Sequence, residues 1–171
     1  MRELRLFGDP FLKKRTKEVK AFDELDALIA DLFETMYHND GVGLAANQVG
    51  ESVSLFVLNA TYDRETKTGG TEEVFINPVL LKVYGESCTQ EEGCLSVPEI
   101  REDVKRKNIL DIAYIDRHGE KREEKGVNGV RARIIQHEYD HLHGMLFIDK
   151  ISAARRLMIR RDLKAIAEGR E

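Results

Sequence analysis

The run Gln136-His137-Glu138-Tyr139-Asp140-His141 constrains the fold of this chain more than any other. Two histidines four residues apart can grip one ion together on a helix, where positions i and i+4 lie one above the other. The run therefore predicts an α-helix with one face turned toward a site. Glu138 follows His137 by about 100° around that helix, close enough to reach a metal-bound water without displacing it. The arrangement suits metal-assisted hydrolysis with Glu138 as general base. By itself, H-E-x-x-H also occurs in helices where it is no more than a polar, solvated face.

A tetrahedral catalytic site needs a third protein ligand. Zinc proteases usually take it from downstream, but the one later histidine, His143, lies about 200° around the helix from His141 and points away. The later carboxylates, Asp149, Asp162, Glu168 and Glu171, stand in no setting that suggests a ligand. Upstream, Cys94 sits in Glu91-Glu92-Gly93-Cys94-Leu95-Ser96-Val97-Pro98, where a thiolate beside glycine on a loop or strand end can approach an ion. A lone cysteine is otherwise a small buried hydrophobe. A further run, Gly41-Val42-Gly43-Leu44-Ala45-Ala46-Asn47-Gln48, is too small-sided to fill a core. It lets backbone approach a ligand and presents one amide side chain, that of Gln48. As a phosphate loop it fails, because no Lys-Ser/Thr follows.

In order and spacing, G-V-G-L-A-A-N-Q, E-G-C-L-S and Q-H-E-Y-D-H resemble the three signature motifs of the peptide deformylases. The resemblance runs from Phe7-Gly8-Asp9-Pro10 to the terminal helix. It implies that Cys94, His137 and His141 bind one divalent metal and that Glu138 is the general acid/base. It also implies that the Gln48 amide and the Leu95 backbone N–H hold the oxyanion formed when water attacks the formyl carbon. The family removes the N-formyl group from the initiator methionine of new polypeptides. Its native ion is usually Fe2+, with Zn2+, Ni2+ or Co2+ able to occupy the same site. Departures are small: Asn47 stands where many members have Thr and is expected to face away from the chemistry, and Arg131 replaces a more usual apolar residue.

The resemblance further implies an apolar pocket for the methionine side chain, lined by Val42, Gly43, Val130 and Ile134, with Arg133 at its rim. The peptide beyond methionine is expected to add as an extra strand near the first motif. Asp140, about 60° off His137 on the helix, has two readings. It is a carboxylate that supports the metal ligands, paired with Arg106, or a surface group. Glu92 could orient a ligand histidine or pair with an arginine near the substrate.

The pattern of apolar residues gives an α+β order, and the resemblance implies small antiparallel sheets packed around a central metal-binding helix, with a C-terminal helix. Leu25, Leu28, Ile29, Leu32, Phe33 and Met36 recur at helical spacing behind an N-cap at Asp23, and Asn39-Asp40-Gly41 ends that helix. Strands are expected at Val53 to Leu58, Val74 to Tyr84 and Ile109 to Ile115, with a turn at Arg117-His118-Gly119. Thr61 to Thr71 reads as a loop. The metal helix is expected from about Asn128, its N-cap, to His143, ended by Gly144. His38 at a helix end, His118 in a turn and Cys88 receive no catalytic role.

At 171 residues the default is one domain, 1–171, with a basic helix from about 152. The chain is 34% charged and 42% hydrophobic, which argues against disorder. No apolar run approaches the ~20 residues that span a bilayer. The start lacks a signal-peptide core, and two cysteines offer no disulfide framework, so a cytoplasmic location is expected, without membrane or DNA partners. Lys150, Arg155, Arg156, Arg160, Arg161 and Lys164 make a basic arm on a chain of net charge −4. Such an arm is either a solvated face or a docking contact with ribosomal RNA, close to the emerging substrate. Two rival functions are a zinc endopeptidase, which predicts a downstream third ligand, and a non-catalytic binding protein, which predicts loss of Glu138 or a ligand.

Overall fold

The computed structural model describes residues 1–22 and 25–169. Helix α1 (Leu25–His38) buries the whole predicted stripe, from Leu25 to Met36. The N-cap expected at Asp23 lies outside the described residues. The helix closes where Asp40 takes a left-handed φ of 53° and Gly41 N–H reaches back to Met36 O at 2.8 Å. Satisfying the last carbonyls in this way ends a helix sharply, and it delivers the chain directly into strand β1 (Gly43–Ala45).

Five antiparallel strands follow one another across a single sheet in chain order: β1, β2 (Leu55–Leu58), β3 (Glu73–Cys94), β4 (Val97–Ile115) and β5 (Lys121–Asn128). The small sheets expected from the sequence are thus joined through β3 and β4. Those two strands form a long hairpin that is bent by register shifts, one of them between Gly93 and Cys94. Such shifts bend and twist a ladder. All four residues of β2 are buried, as suits a strand covered on both faces.

Two expected strands are much longer than predicted. Val74 to Tyr84 is only the first half of β3, and Ile109 to Ile115 only the end of β4. The alternation is present in the missed portion: Ile100, Glu102, Val104 and Arg106 are buried in turn. Charged residues fill two of those inward positions, so an apolar count does not see a strand. Strand β5, Lys-Arg-Glu-Glu-Lys-Gly-Val-Asn, buries only Val127 and carried no signal at all.

Helix α2 (Gly129–Leu142) carries the histidine run and is packed nearly all round. Its buried residues include Ala132, Ile134, Ile135 and Leu142 but also Gln136, Glu138, Asp140 and His141. Asn128 holds the N-cap position without making a side-chain cap; its amide donates to Gly126 O at 3.1 Å instead. Gly144 follows the helix end at φ 72°, and a β-carbon there would lie 2.3 Å from Lys13 O. The terminal helix is two short ones, α3 (Ala153–Met158) behind an N-cap at Ser152, and α4 (Arg160–Ala167). The break at Ile159 lets Ile159 and Leu163 insert beside Val97, Ile100 and Val104 of the hairpin. None of the described helices is long and apolar enough to cross a membrane.

Candidate active site

The site forms where the tip of the β3–β4 hairpin meets α2. Cys94 ends β3, while His137 and His141 stand one turn apart on α2. The three ligand atoms lie within 4.8 Å of one another, and Cys94 Sγ is 3.2 Å from His141 Nε2. Donors sharing a tetrahedral ion at bonds of about 2.0–2.3 Å sit roughly 3.5 Å apart, so this spacing fits one ion. The side chains are also prepared for it. His137 Nδ1 is engaged with Glu92 Oε2 at 3.1 Å, which leaves Nε2 as its ligand atom. Burial, together with His137, holds the His141 ring well below its usual pKa, in the neutral form that ligates. For His137 burial acts the same way, but its hydrogen bonds to Cys94 and Glu92 outweigh it and raise the pKa.

Glu138 is buried, and its Oε2 has no hydrogen-bond partner. An orphaned buried carboxylate oxygen is costly and marks a place where a ligand or reacting group completes the bonding. Burial pushes this carboxyl up to about 7, against the opposing pull of His137 and Arg106. Gly43 makes room for it: a β-carbon there would lie 2.5 Å from Glu138 Oε1. The first motif thus brings backbone close to the site, as its small residues suggested.

Gln48 lies in the short 3-10 turn Ala46–Val49, its Oε1 fixed by the Ala45 N–H at 2.9 Å. That bond turns Nε2 toward the hairpin, where it stands 3.0 Å from Ser96 Oγ and 3.5 Å from Cys94 Sγ. Leu95 occupies the hairpin turn directly after Cys94. Asn47 turns away from the site through the geometry of a helical turn. Its amide donates to His141 O at 2.6 Å and ties the first motif to the metal helix.

Beneath the ligands lies a network of buried charge. Glu92 and Glu102 stand directly opposite each other across β3 and β4, a pairing that repels unless neutralised. Arg106 grips Glu92 with two bonds, at 2.6 and 2.9 Å, and reaches Asp140 Oδ2 at 2.8 Å. Arg155 of α3 grips Glu102 with two bonds of 2.8 Å. Burial alone would raise the Glu92 carboxyl, but Arg106 and His137 outweigh it and hold it far below the usual range. Asp140 is therefore joined to Arg106 and not a surface group, and Glu92 serves both the histidine and the arginines. Sequence reading did not foresee Ser96 beside Gln48, nor the part taken in the network by Glu102, Arg155, Lys150, which lies 3.3 Å from Asp140, and Arg133, which bonds Glu92 as well as lining the pocket. Only Ser96 carried a signal, lying inside the cysteine motif.

A cavity of about 620 Å³ opens over these groups. Cys94, Leu95, Gln48, His137 and Glu138 line it, together with Val42, Gly43, Val130 and Ile134. His141 is almost wholly buried. His38, His118 and His143 take no part; His143 Nδ1 bonds Tyr139 O on its own helix.

Residues 1–157 match the family model described as polypeptide deformylase. The chain is 48% identical over 164 residues to the peptide deformylase of Pseudothermotoga lettingae, covering 95% of this chain and 90% of that protein. Its structure resembles that of the Thermotoga maritima peptide deformylase, with TM-score 0.81, 45% identity, and coverage of 89% of this chain and 98% of that one. The peptide deformylase of Plasmodium falciparum superposes with TM-score 0.91 at 36% identity, over 98% of this chain and 96% of that one.

Proposed function

Because the chain belongs to the polypeptide deformylase family, we propose that Cys94, His137 and His141 hold its metal and that Glu138 is its acid/base. The enzyme is a metal-dependent hydrolase that removes the N-formyl group from the initiator methionine of newly made polypeptides, releasing formate. The convergence of one thiol and two imidazoles beside an unpartnered buried carboxylate carries the residue assignment.

A divalent ion in this donor set supplies a Lewis acid that polarises a carbonyl oxygen and makes water a stronger nucleophile at neutral pH. Glu138 Oε2 accepts a proton from the attacking water and delivers it to the departing amine nitrogen as the formyl carbon–nitrogen bond breaks. Its buried oxygen, free of any hydrogen-bond partner, is available for both transfers. Gln48 Nε2, oriented through its Oε1, and the Leu95 N–H receive the negative charge that develops on the formyl oxygen. Val42, Gly43, Val130 and Ile134 hold the methionine side chain, and the peptide beyond it extends along the first motif. Glu92, Arg106 and Asp140 keep the ligand histidines in place.

Fe2+ is the resident ion in this reading, with Zn2+, Ni2+ or Co2+ competent in its place. A Cys-His-His set accepts several first-row ions, and availability decides among them. A reducing cytoplasm fits a thiol ligand and two unpaired cysteines. Residues 1–171 act as one catalytic domain whose basic end makes a transient ribosome contact. Arg155, Arg156 and Lys150 are already paired with Glu102, Asp149 and Asp140. Arg160 and Arg161 remain exposed, without partners among the described residues, and these would meet RNA. Ribosome co-sedimentation of the Arg160→Glu, Arg161→Glu protein should fall; unchanged co-sedimentation would remove the contact from this reading.

The deciding experiment measures formate released from a formyl-methionyl peptide by protein prepared without oxygen, beside Glu138→Gln. Turnover by the wild type, lost in the variant with its ion retained, is the expected result. No formate from wild-type protein carrying one ion per chain would overturn the assignment.

A further inference from the structure

The metal ligands come from two separate bodies, Cys94 from the β3–β4 hairpin and the histidines from α2. Their spacing therefore depends on how the hairpin seats on the helix. Arg133 stands on α2 one turn before His137, on the same face. Its guanidinium reaches across to both strands of the hairpin. Nη1 donates to Glu92 Oε1 at 2.6 Å and to Val104 O at 3.0 Å, and Nη2 donates to Cys88 O at 2.7 Å. The side chain is only 13% exposed. Arg106 of β4 binds Glu92 within the hairpin and reaches α2 at a single point, Asp140 Oδ2, at 2.8 Å, whereas Arg133 meets both strands.

We propose that Arg133 is a positioning residue, a cross-brace that sets Cys94 against His137 and so governs how long the ion is retained. The planar fork of a guanidinium can serve three acceptors in fixed directions, which an ammonium cannot. Without the brace, the bonds of Arg106 to Asp140 and of Glu92 to His137 still join hairpin and helix and keep the histidine oriented, while the strand carbonyls of Cys88 and Val104 lose their tie to α2. The effect falls on the register between thiol and imidazoles, not on the fold.

Arg131 supplies the control. It lies on the same helix and bonds Glu73 and Glu124 on β3 and β5, far along the strand from Cys94. It ties helix to sheet with comparable ion pairs, yet at the end that bears no ligand.

The inference rests on the metal assignment above, and the test separates the two. Zn2+-loaded wild type, Arg133→Met, Arg133→Lys and Arg131→Met are challenged with a chelating dye, and Co2+-loaded forms are compared by their thiolate charge-transfer absorption. The expected result is ion loss about 10- to 100-fold faster in Arg133→Met, the range usual for groups that support a ligand. Arg133→Lys should be intermediate, the Co2+ band altered, and added guanidinium ion should slow loss from Arg133→Met. Arg131→Met should lower Tm while releasing Zn2+ at the wild-type rate. Wild-type release from Arg133→Met, or equal acceleration in Arg131→Met, overturns the brace. If the Met variant does not fold, wild-type release from Arg133→Lys overturns it alone. Failure of the wild type to bind one ion per chain would instead defeat the metal assignment.

Discussion

Gly43 and Glu138 are so close that a β-carbon on the glycine would lie 2.5 Å from the carboxylate Oε1 and 2.9 Å from Ile134 Cγ2. Glycine here is required by approach, not by a left-handed backbone. Gly43→Ala should therefore fold normally and displace the acid/base. A misplacement approaching 1 Å costs on the order of 10²-fold in rate. A kcat within a few-fold of wild type, with Tm unchanged, would show that the carboxylate moves aside freely.

Glu138 links activity to stability with opposite signs. Its folded pKa of about 7 lies above the ordinary carboxyl value of 4.5, so the unfolded chain gives up this proton first. The contribution of this group to the metal-free protein should thus become unfavourable between about pH 4.5 and pH 7, and level off above. The full cost is on the order of 3 kcal/mol. Glu138→Gln should abolish most turnover, by about 10²–10⁴-fold, yet make the metal-free chain more stable than wild type at pH 8. Denaturant melts of both proteins at pH 5 and pH 8 check this, and equal stabilities at pH 8 would contradict it.

Asp149 behaves in the opposite sense. Burial raises its carboxyl, but bonds from Lys13, the Leu146 N–H and Arg156 prevail and hold it below the ordinary value. Its contribution is fully present above the unfolded pKa of about 3.9 and fades as pH falls through the lower folded value. Asp149→Asn should cost about 1–2 kcal/mol at pH 7, with the difference shrinking toward zero near pH 2. A constant difference across that range would assign the effect to packing.

Asn47 donates to His141 O, a carbonyl on the helix that carries two of the ligands. A threonine hydroxyl can make the same donation. Asn47→Thr should be nearly neutral, whereas Asn47→Val leaves His141 O with the Gly144 N–H alone, at 3.0 Å, and should lower stability by about 0.5–1.5 kcal/mol. Equal melting of the two variants would deny the bond its role.

Much of this molecule was legible in its sequence, and the illegible part has one physical origin. The apolar stripe of α1 and the helix bearing His137 and His141 follow from periodicity and spacing, and the meeting of three motifs from the family resemblance. The long hairpin did not, because Glu92, Glu102 and Arg106 occupy inward positions that a strand normally gives to apolar side chains. Their burial depends on partners from α2 and α3 that no local pattern announces. Arg133 does line the pocket, as expected, but its bonds were illegible for the same reason: its acceptors are two strand carbonyls and a carboxylate, none near it in the chain. The break at Ile159 likewise reflects docking against the hairpin, not any local helix-breaking residue.

The thiol and the second imidazole stand 47 positions apart. Closing so long a loop carries an entropic cost before any coordination can reward it. During synthesis the hairpin emerges well ahead of the helix, so no growing chain holds the complete donor set until His141 is out and docked. Metal capture is then the last event of maturation and not a template for it. Added Zn2+ should leave the refolding rate of the metal-free protein unchanged while slowing its unfolding, since a ligand that binds only the finished state stabilises it by mass action. Refolding accelerated in proportion to Zn2+ would reveal instead that the ion gathers its ligands early.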